Sequence, residues 1–309
     1  MSHTEKAPGK YLEAKTKALL KSFLSRDYSS DIKRLNVLLE RHLGRSAGFV
    51  EAQPPLPFAG DPFNPSLAGN CIALFGLNPR WRADDTFYRE REYRPLKLCV
   101  DGIRTGERTV EEFLALRRSY FSLDNEFYYG RYYTKLGGLL GQRWFPEYRD
   151  TARTPREFAV AVFQNHVFKA DILPWFSSDT NGIDASKLGK DDEALKQFHD
   201  LIACFITMIR PRWIQFNGLQ GRELIEATFK SKLDEYSTNI NGKSHRYLFG
   251  WCDDHRIVPT PTPLFVHGFT NSAGGPQSPQ QFNAIAFAFQ EWVNDHSRFS
   301  FELQKSKSQ

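Results

Sequence analysis

Four short apolar runs, each closed by a glycine or a polar residue, limit the folds open to this chain of 309 residues. The runs are residues 71–75, 167–172, 213–217 and 264–266. Short runs bounded by turn residues are typical of strands that a parallel sheet buries on both faces. Helical patterns at 195–209, 222–229 and 279–293 alternate with them. This alternation predicts an α/β fold, a three-layer α/β/α sandwich around a short, mostly parallel, four-stranded sheet.

The segments outside these runs define the domain organisation. Apolar residues recur at helical spacing near the N-terminus and again after a capping signal at 29–31, which predicts two N-terminal helices. A proline-rich loop follows at 53–70, and the arginine-rich segment 80–156 is expected to be an irregular, elaborated insertion. The predicted boundaries are 1–60 for a helical extension and wrapping loop, 61–298 for the α/β domain and 299–309 for a polar tail.

Composition excludes several classes of protein. A chain that is 40% hydrophobic and 25% charged is neither fibrous nor wholly disordered, and a net charge of +5 is compatible with a polyanionic partner without identifying one. The four cysteines are far apart and no dinucleotide, phosphate-loop or zinc motif is present, so we expect reduced thiols, no metal and no cofactor. The polar N-terminus and the lack of a long apolar stretch predict a cytoplasmic protein with no membrane partner.

Chemistry is expected where the apolar runs end, because open parallel sheets bind ligands beyond the carboxyl ends of their strands. Four segments occupy these places, namely 76–79, 171–175, 217–218 and 267–271. The first reads Gly76-Leu77-Asn78-Pro79, and the last begins with His267. The order of these short motifs along the chain is more informative than any one of them.

This order of motifs resembles the uracil-DNA glycosylase superfamily. In that family a Gly-x-Asn-Pro or Gly-x-Asp-Pro motif follows the first strand, as Gly76, Asn78 and Pro79 do here. A histidine follows the last strand, as His267 does, although glycine rather than proline comes after it in this chain. Asp171 stands where an asparagine usually reads the base. The iron–sulfur cysteines of some family branches are absent, so the resemblance implies a divergent member of another branch.

The resemblance implies a catalytic pair, Asn78 and His267. Hydrolysis of an N-glycosidic bond develops positive charge on the sugar and negative charge on the departing base. The amide oxygen of Asn78 would orient the attacking water, and His267 would donate a hydrogen bond to the pyrimidine O2. Each residue has a structural alternative, since Asn78 also suits the cap of an Asn-Pro turn and His267 also suits a satisfied core histidine.

Asp171 is expected to read the base. A carboxylate only accepts hydrogen bonds, so it repels O4 of uracil and suits the exocyclic amine of cytosine. Cytosine N3 is also an acceptor, which requires either a protonated Asp171 or an N3 beyond its reach. As an alternative, Asp171 caps the turn before Leu173 and Pro174. A modified cytosine is therefore the preferred substrate of this prediction, with uracil second.

Rings and basic side chains near these motifs predict the contacts to DNA. Trp81, Phe87 and Tyr88 are candidates to stack on a flipped base, and Phe87 and Tyr88 fit an ordinary core equally well. Phe269 is a candidate wedge for the vacated stack. The remaining predicted DNA contacts are Arg80, Arg82, Asn271 and Ser278. Acidic residues interleave with the arginines and favour a solvated face, namely Asp84, Asp85, Glu90 and Glu92.

The resemblance thus predicts a metal-free, monofunctional DNA glycosylase, a hydrolase that flips a pyrimidine and leaves an abasic site. Its partner would be double-stranded DNA with a flipped base, or single-stranded DNA, and we expect a monomer. Base-excision repair, or antiviral defence against phage DNA with modified bases, is the setting that the resemblance allows. Two alternatives stay open. One is a non-catalytic nucleic-acid-binding module that keeps the fold, favoured by the altered pair His267-Gly268, and the other is an enzyme that acts on a small nucleoside.

Overall fold

The computed structural model describes residues 8–43, 48–82, 85–124, 131–178, 183, 188, 192–270 and 275–296. Its centre is a mixed sheet of six strands in the order β2-β1-β3-β6-β5-β4. The strands are β1 (Ile72–Gly76), β2 (Val167–Asp171), β3 (Trp213–Asn217), β4 (Leu233–Ile240), β5 (Lys243–Cys252) and β6 (Thr262–His267). Strands β2, β1, β3 and β6 are mutually parallel, and each coincides to within one residue at either end with a predicted apolar run or encloses it. The α/β class is confirmed.

The sheet has two strands more than predicted, because β4 and β5 form an antiparallel hairpin that extends it beyond β6. The hairpin turn is Asn241-Gly242, whose φ angles are 54° and 77°. A two-residue turn of type I′ requires positive φ at both positions, and Asn-Gly strongly favours it. β4 is an edge strand with many exposed polar residues, so it lacks the apolar run that reveals the other strands. The prediction of a four-stranded sheet is therefore wrong.

Helices precede, separate and follow the strands. They are α1 (Pro8–Leu24), α2 (Tyr28–Leu43), α3 (Thr86–Tyr88), α4 (Arg94–Thr105), α5 (Val110–Arg118), α6 (Arg131–Trp144), α7 (Pro155–His166), α8 (Glu193–Ile209), α9 (Arg222–Phe229) and α10 (Pro279–His296). A single π-helical turn, Arg89–Tyr93, joins α3 to α4. The two predicted N-terminal helices are confirmed. The expectation of an irregular insertion at 80–156 is wrong, because its described residues are largely helical.

Helices cover both faces of the sheet, because the side chains of β1 alternate between them. Ala73 and Phe75 pack into one hydrophobic cluster with α1, α2, α4, α5, α8 and α9. Ile72 and Leu74 pack into a second cluster with α6, α7 and α10. Phe23 of α1 lies in the first cluster, with its ring centroid 5.4 Å from that of Phe198 in α8. The N-terminal helices therefore share a core with the sheet.

The four parallel strands end at one edge of the sheet, and this edge contains the predicted motifs. Gly76 is in register with Asp171, and Asn217 is in register with His267. β1 lies between β2 and β3, so the chain runs to one side after β1 and returns to the other side after β2. Such a change of direction opens a crevice beyond the strand ends. The fold thus directs the loop after β1 into that crevice.

Helix α6, which carries several side chains of the site described below, packs very closely on α7. Glycine makes this approach possible, since a Cβ at Gly137 would lie 2.6 Å from the Cβ of Ala159. Gly141 faces the Phe158 ring in the same way. Gly138, on another side of α6, has nothing within 4 Å of a Cβ position. The contact between the two helices therefore requires small residues on one side of α6 only.

Gly137→Ala is expected to destabilise the protein, because the added methyl group would lie 2.8 Å from the backbone Cα of Ala159. We expect the free energy of unfolding to fall by about 1–3 kcal/mol. Gly138→Ala is the matched control on the same helix and should be neutral or stabilising by up to about 1 kcal/mol, because alanine favours helix over glycine. Urea denaturation measures both variants, and equal stabilities would contradict the close packing.

Candidate active site

The chain segment after β1 runs beside the segment after β2 and extends their parallel pairing beyond the sheet. The backbone N–H of Ile172 donates to Gly76 O at 3.0 Å, and that of Ser177 donates to Pro79 O at 3.1 Å. Asn78 lies between these two points of attachment. Its backbone position is therefore set by the same hydrogen-bond pattern that builds the sheet.

The Asn78 side chain is buried, and its amide nitrogen is fully used. Nδ2 donates to Ser177 Oγ at 2.7 Å and to Trp175 O at 3.2 Å, and it lies 3.3 Å from Pro79 O. Carbonyl oxygens only accept hydrogen bonds, so they decide which end of the amide faces them. Oδ1 is left over, and it accepts no hydrogen bond from the residues that the structure describes. A buried acceptor without a donor costs about 1–3 kcal/mol, and such atoms often mark functional positions.

Asp171 ends β2 beside Gly76 and pairs with a buried lysine. Lys169 Nζ donates to Asp171 Oδ1 at 2.7 Å, and the lysine is 4% exposed. A Cβ at position 76 would collide with this carboxylate oxygen, so a larger residue there would displace the Asp171 side chain. Within the described residues, Asp171 accepts no hydrogen bond from the turn at Leu173, which argues against the turn-cap alternative. The structure thus brings Asp171 to the same strand edge as Asn78.

His267 occupies the sheet interior instead of the crevice. It is 0% exposed, and its ring packs against Phe265 and Phe282. Nδ1 lies 2.8 Å from the carbonyl oxygen of Gly268, and Nε2 lies 2.9 Å from Nε2 of Gln215. Burial lowers the pKa of His267 to about 4, so the ring is neutral, with Nδ1–H donating and Nε2 accepting. This is the geometry of a satisfied core histidine, and it leaves no N–H for a base.

The segment after β6 is held to β3 and α6 by hydrogen bonds of Asn217, Tyr132 and Lys135, for which no individual role was predicted. The backbone N–H of Thr270 donates to Asn217 Oδ1 at 3.0 Å, and Asn217 Nδ2 donates to the Tyr132 hydroxyl at 2.6 Å. Lys135 Nζ donates to Thr270 O at 2.9 Å. Phe269, the predicted wedge, is 42% exposed and stacks on Tyr132 with ring centroids 5.4 Å apart. The strand-end position of Asn217 was the sequence signal for this network.

The predicted stacking rings lie at or near an open depression of about 660 Å³, which is lined mainly by the segment that follows Asn78. The residues that line it are Arg80, Trp81, Arg82, Asp85, Thr86, Phe87 and Ser178. Trp81 packs on Tyr93, with ring centroids 4.2 Å apart. Tyr88 lies beneath the Arg82 guanidinium, which is 4.6 Å from the ring centroid. Phe87 is 47% exposed, so the three candidate rings differ in how much of each could meet a base.

The other predicted DNA contacts have varied surroundings. Arg80 and Arg82 are exposed at the depression. Ser278 caps α10, because its hydroxyl accepts from the N–H of Gln281 at 3.3 Å while the Gln281 side chain accepts from the N–H of Ser278 at 3.2 Å. Asn271 lies outside the described residues. The two arginines are therefore the predicted contacts that the structure leaves most accessible.

Glu92 departs furthest from the sequence-based expectation, because it is buried instead of lying on a solvated face. It is 7% exposed, whereas Glu90 on the same π-helical turn is exposed. Its carboxylate has no hydrogen bond or ion pair with the part of the chain that the structure describes. Burial raises the pKa of the Glu92 carboxyl to about 7, and the positive charges of Arg117 and Arg82 oppose this rise.

No model of a known protein family matches the chain, and no curated protein matches it either. Over the described ranges, no group of three or more His, Cys, Asp or Glu side chains is positioned to hold a metal ion. None of the described helices combines the length and apolar character needed to cross a membrane.

Cys71 and Cys252 are buried thiols, and burial raises the pKa of both. The geometry of the site is thus the basis for assigning a function.

Glu92 is expected to make the protein less stable as the pH rises. The pKa of its carboxyl is about 7 in the folded protein against 4.5 ordinarily, so the folded state binds the proton more tightly. The resulting stabilisation is complete at pH values below the pKa of Glu92 in the unfolded protein. It is lost as the pH rises through the pKa of Glu92 in the folded protein. Between about pH 5 and about pH 8.5, the free energy of unfolding of Glu92→Gln should gain about 2–3 kcal/mol relative to wild type.

Chemical denaturation at the two pH values measures this difference. Glu90→Gln is the matched control, since the exposed side chain of Glu90 should produce no comparable change. A Glu92→Gln difference that stays constant with pH would show that the Glu92 carboxyl titrates normally in the folded protein.

Proposed function

We propose that this protein is a monofunctional DNA glycosylase that hydrolyses the N-glycosidic bond of a flipped pyrimidine and leaves an abasic site. The observation that carries the proposal is the Asn78 amide. Its nitrogen is held by Ser177 and Trp175, and its oxygen is a fixed, unused acceptor beyond the carboxyl end of β1. An acceptor that cannot rotate selects one orientation of a water molecule, which is the contribution that this reaction needs from an amide.

A group that orients the attacking water suits the chemistry of the N-glycosidic bond. As the C1′–N1 bond lengthens, the sugar becomes a cation that reacts readily with a weak nucleophile, so the water needs placement more than deprotonation. Asp171, held by Lys169 at the same strand edge, supplies a negative charge that favours the developing cation. His267 takes no part in this proposal, because both of its ring nitrogens are engaged by protein groups.

DNA with a cytosine-type base is the substrate in this proposal, and uracil is second. Asp171 is a carboxylate at the strand end where the base would be read, and a carboxylate suits an exocyclic amine. Arg80 and Arg82 suit contacts with phosphates, and the exposed ring of Phe269 suits insertion into a vacated stack. We place the enzyme in the cytoplasm as a monomer, in repair or in defence against phage DNA with modified bases.

Incubation with oligonucleotides followed by alkaline cleavage tests the proposal. The panel contains duplexes and single strands that carry uracil, a thymine mismatch or a modified cytosine, together with the free nucleosides. Strand breaks at the modified cytosine, with release of the free base, are the expected result. Tight binding without breaks on any oligonucleotide would identify a non-catalytic DNA-binding module. Cleavage of free nucleosides alone would identify a nucleoside hydrolase.

Asn78→Ala is expected to lower the single-turnover rate by about 100-fold or more, because it removes the group that orients the water. The dissociation constant for substrate DNA should change little, since the amide contacts the water and not the DNA backbone. Asn165→Ala is the matched control, because Asn165 lies near the C-terminal end of α7, where it donates to Ala161 O and also interacts with Tyr148, near the opposite edge of the sheet. Wild-type cleavage by Asn78→Ala would show that the water is held elsewhere.

Phe269→Ala is expected to reduce kcat/KM about 10-fold or more on duplex DNA, because filling the vacated stack offsets an unstacking cost of a few kcal/mol. The effect should be smaller on single strands, where no stack needs filling. Phe287→Ala is the control, since Phe287 is another exposed phenylalanine, at 53%, on α10. A fluorescent base analogue beside the target base reports flipping directly. Equal flipping by the two variants would contradict the wedge.

A further inference from the structure

Glu92 and Arg117 are two buried side chains of opposite charge that do not pair with each other. Glu92 is 7% exposed and Arg117 is 1% exposed. Arg117 Nε donates to Phe58 O at 3.2 Å, and the guanidinium lies 4.5 Å from the ring centroid of Tyr120. Arg117 Nη2 has no hydrogen-bond partner among the described residues, and neither has the Glu92 carboxylate. A buried acceptor and a buried donor that both lack a hydrogen-bond partner among the described residues suit a polar ligand.

Glu92 is attached to the segment that follows Asn78. Tyr93, the next residue, donates its hydroxyl to Arg80 O at 3.2 Å. Arg82 lines the open depression, and its positive charge also acts on Glu92. The π-helical turn that carries Glu92 is a rare conformation that occurs often at functional sites. The turn that carries Glu92 is therefore attached to a residue that lines the depression.

We propose that Glu92 is the general acid of the reaction and selects a cytosine-type base, donating its carboxyl proton to N3 while its other oxygen accepts from the exocyclic amine. This inference rests on the glycosylase function proposed above. A neutral carboxyl group presents one donor and one acceptor, and this edge of cytosine presents the complementary acceptor and donor. Arg117, through its open Nη2, is placed to stabilise the carboxylate that remains after the transfer.

In this step the base receives the electron pair of the broken bond and one proton. Cleavage leaves the electron pair of the C1′–N1 bond on the base, and the proton from Glu92 reaches N3, so the base departs as neutral cytosine. The water oxygen bonds to C1′, and the water loses one proton to solvent. Glu92 then takes a proton from solvent and is restored as the neutral acid. Uracil already carries a hydrogen at N3, so its departure depends less on Glu92.

The surroundings of Glu92 suit a group that exchanges a proton near neutral pH. Burial raises the pKa of its carboxyl to about 7, against the opposing charges of Arg117 and Arg82. The other titratable groups that face it are the hydroxyls of Tyr88, Tyr93, Tyr120 and Tyr133. Burial raises the pKa of each of these hydroxyls, so they stay neutral. A general acid is most effective when its pKa is close to the working pH.

Glu92→Gln tests the inference, because the glutamine amide keeps one donor and one acceptor but has no proton to transfer. On duplexes with a modified cytosine we expect kcat to fall about 100-fold or more with KM little changed. On uracil duplexes we expect a loss about 10-fold smaller, because that base needs the proton less. Glu90→Gln, which alters an exposed carboxylate on the same turn, is the matched control and should behave as wild type.

The dependence of the rate on pH provides a second measurement. The wild-type rate should decline as the pH rises above about 7, where Glu92 loses its proton, and the Glu92→Gln rate should not. If Glu92→Gln has the same kinetics as wild type and the same decline at alkaline pH, the inference is overturned and the glycosylase function still stands. Inactivity of the wild-type protein on every duplex would overturn both.

A folding defect is separated from a chemical one by DNA affinity, which the inference expects to be unchanged in Glu92→Gln, and by thermal unfolding at about pH 5, where wild-type Glu92 holds its proton and the two proteins should unfold alike. If that variant does not fold, Glu92→Asp gives the same test. Because aspartate is still a carboxylic acid, the cleavage rate of Glu92→Asp should still decline at alkaline pH, although the rate itself is lower than that of wild type. A Glu92→Asp protein that folds and shows no decline would contradict the role of Glu92 as the acid.

Discussion

The site depends on one constraint, the continued parallel pairing of the chain segments that follow β1 and β2. Backbone hydrogen bonds carry this pairing past the end of the sheet, as far as Ser177. The pairing presents the carbonyl of Trp175 and the hydroxyl of Ser177 to Asn78, so the main chain decides how the amide is oriented. Pro79 has no N–H, which removes one local donor that an amide oxygen could otherwise engage. The unused acceptor at Asn78 is thus a consequence of backbone geometry.

Two carboxyl groups near this strand edge have opposite electrostatic environments. Asp171 is paired with Lys169 at 2.7 Å. Glu92 is buried without an ion pair to any described residue, and burial raises the pKa of its carboxyl to about 7. Sites of acid–base chemistry commonly separate two carboxyl groups in this way, one kept charged and one able to hold a proton. Under the proposed function, Asp171 faces the sugar cation and Glu92 supplies the proton to the base.

The four parallel strands were predictable, because each apolar run can be recognised from its own residues alone. The hairpin was predictable too, since Asn241-Gly242 is a strong turn signal, but the polar edge strand beside it concealed the pattern. The sequence left two orientations open for His267, and the core alternative holds because β6 extends to His267 and places its ring on the same face as Phe265. The burial of Glu92 was not predictable either, since Glu90 and Glu92 lie on the same π-helical turn and differ only in which side of that turn they occupy.

Under the proposed function, the helical segment between β1 and β2 adds to the preference for one base over another that Asp171 contributes at the end of β2. A water held by Asn78 attacks the sugar, and the sugar is the same for every base. Discrimination therefore requires groups that reach the edge of the base. Tyr88 packs against the hydrophobic clusters of both sheet faces, so this segment closes over the open strand edge instead of extending away from it. Because α3, the π-helical turn and α5 bring Tyr88, Glu92 and Arg117 to that closure, this part of base selection can change without altering the strand edge that places the water.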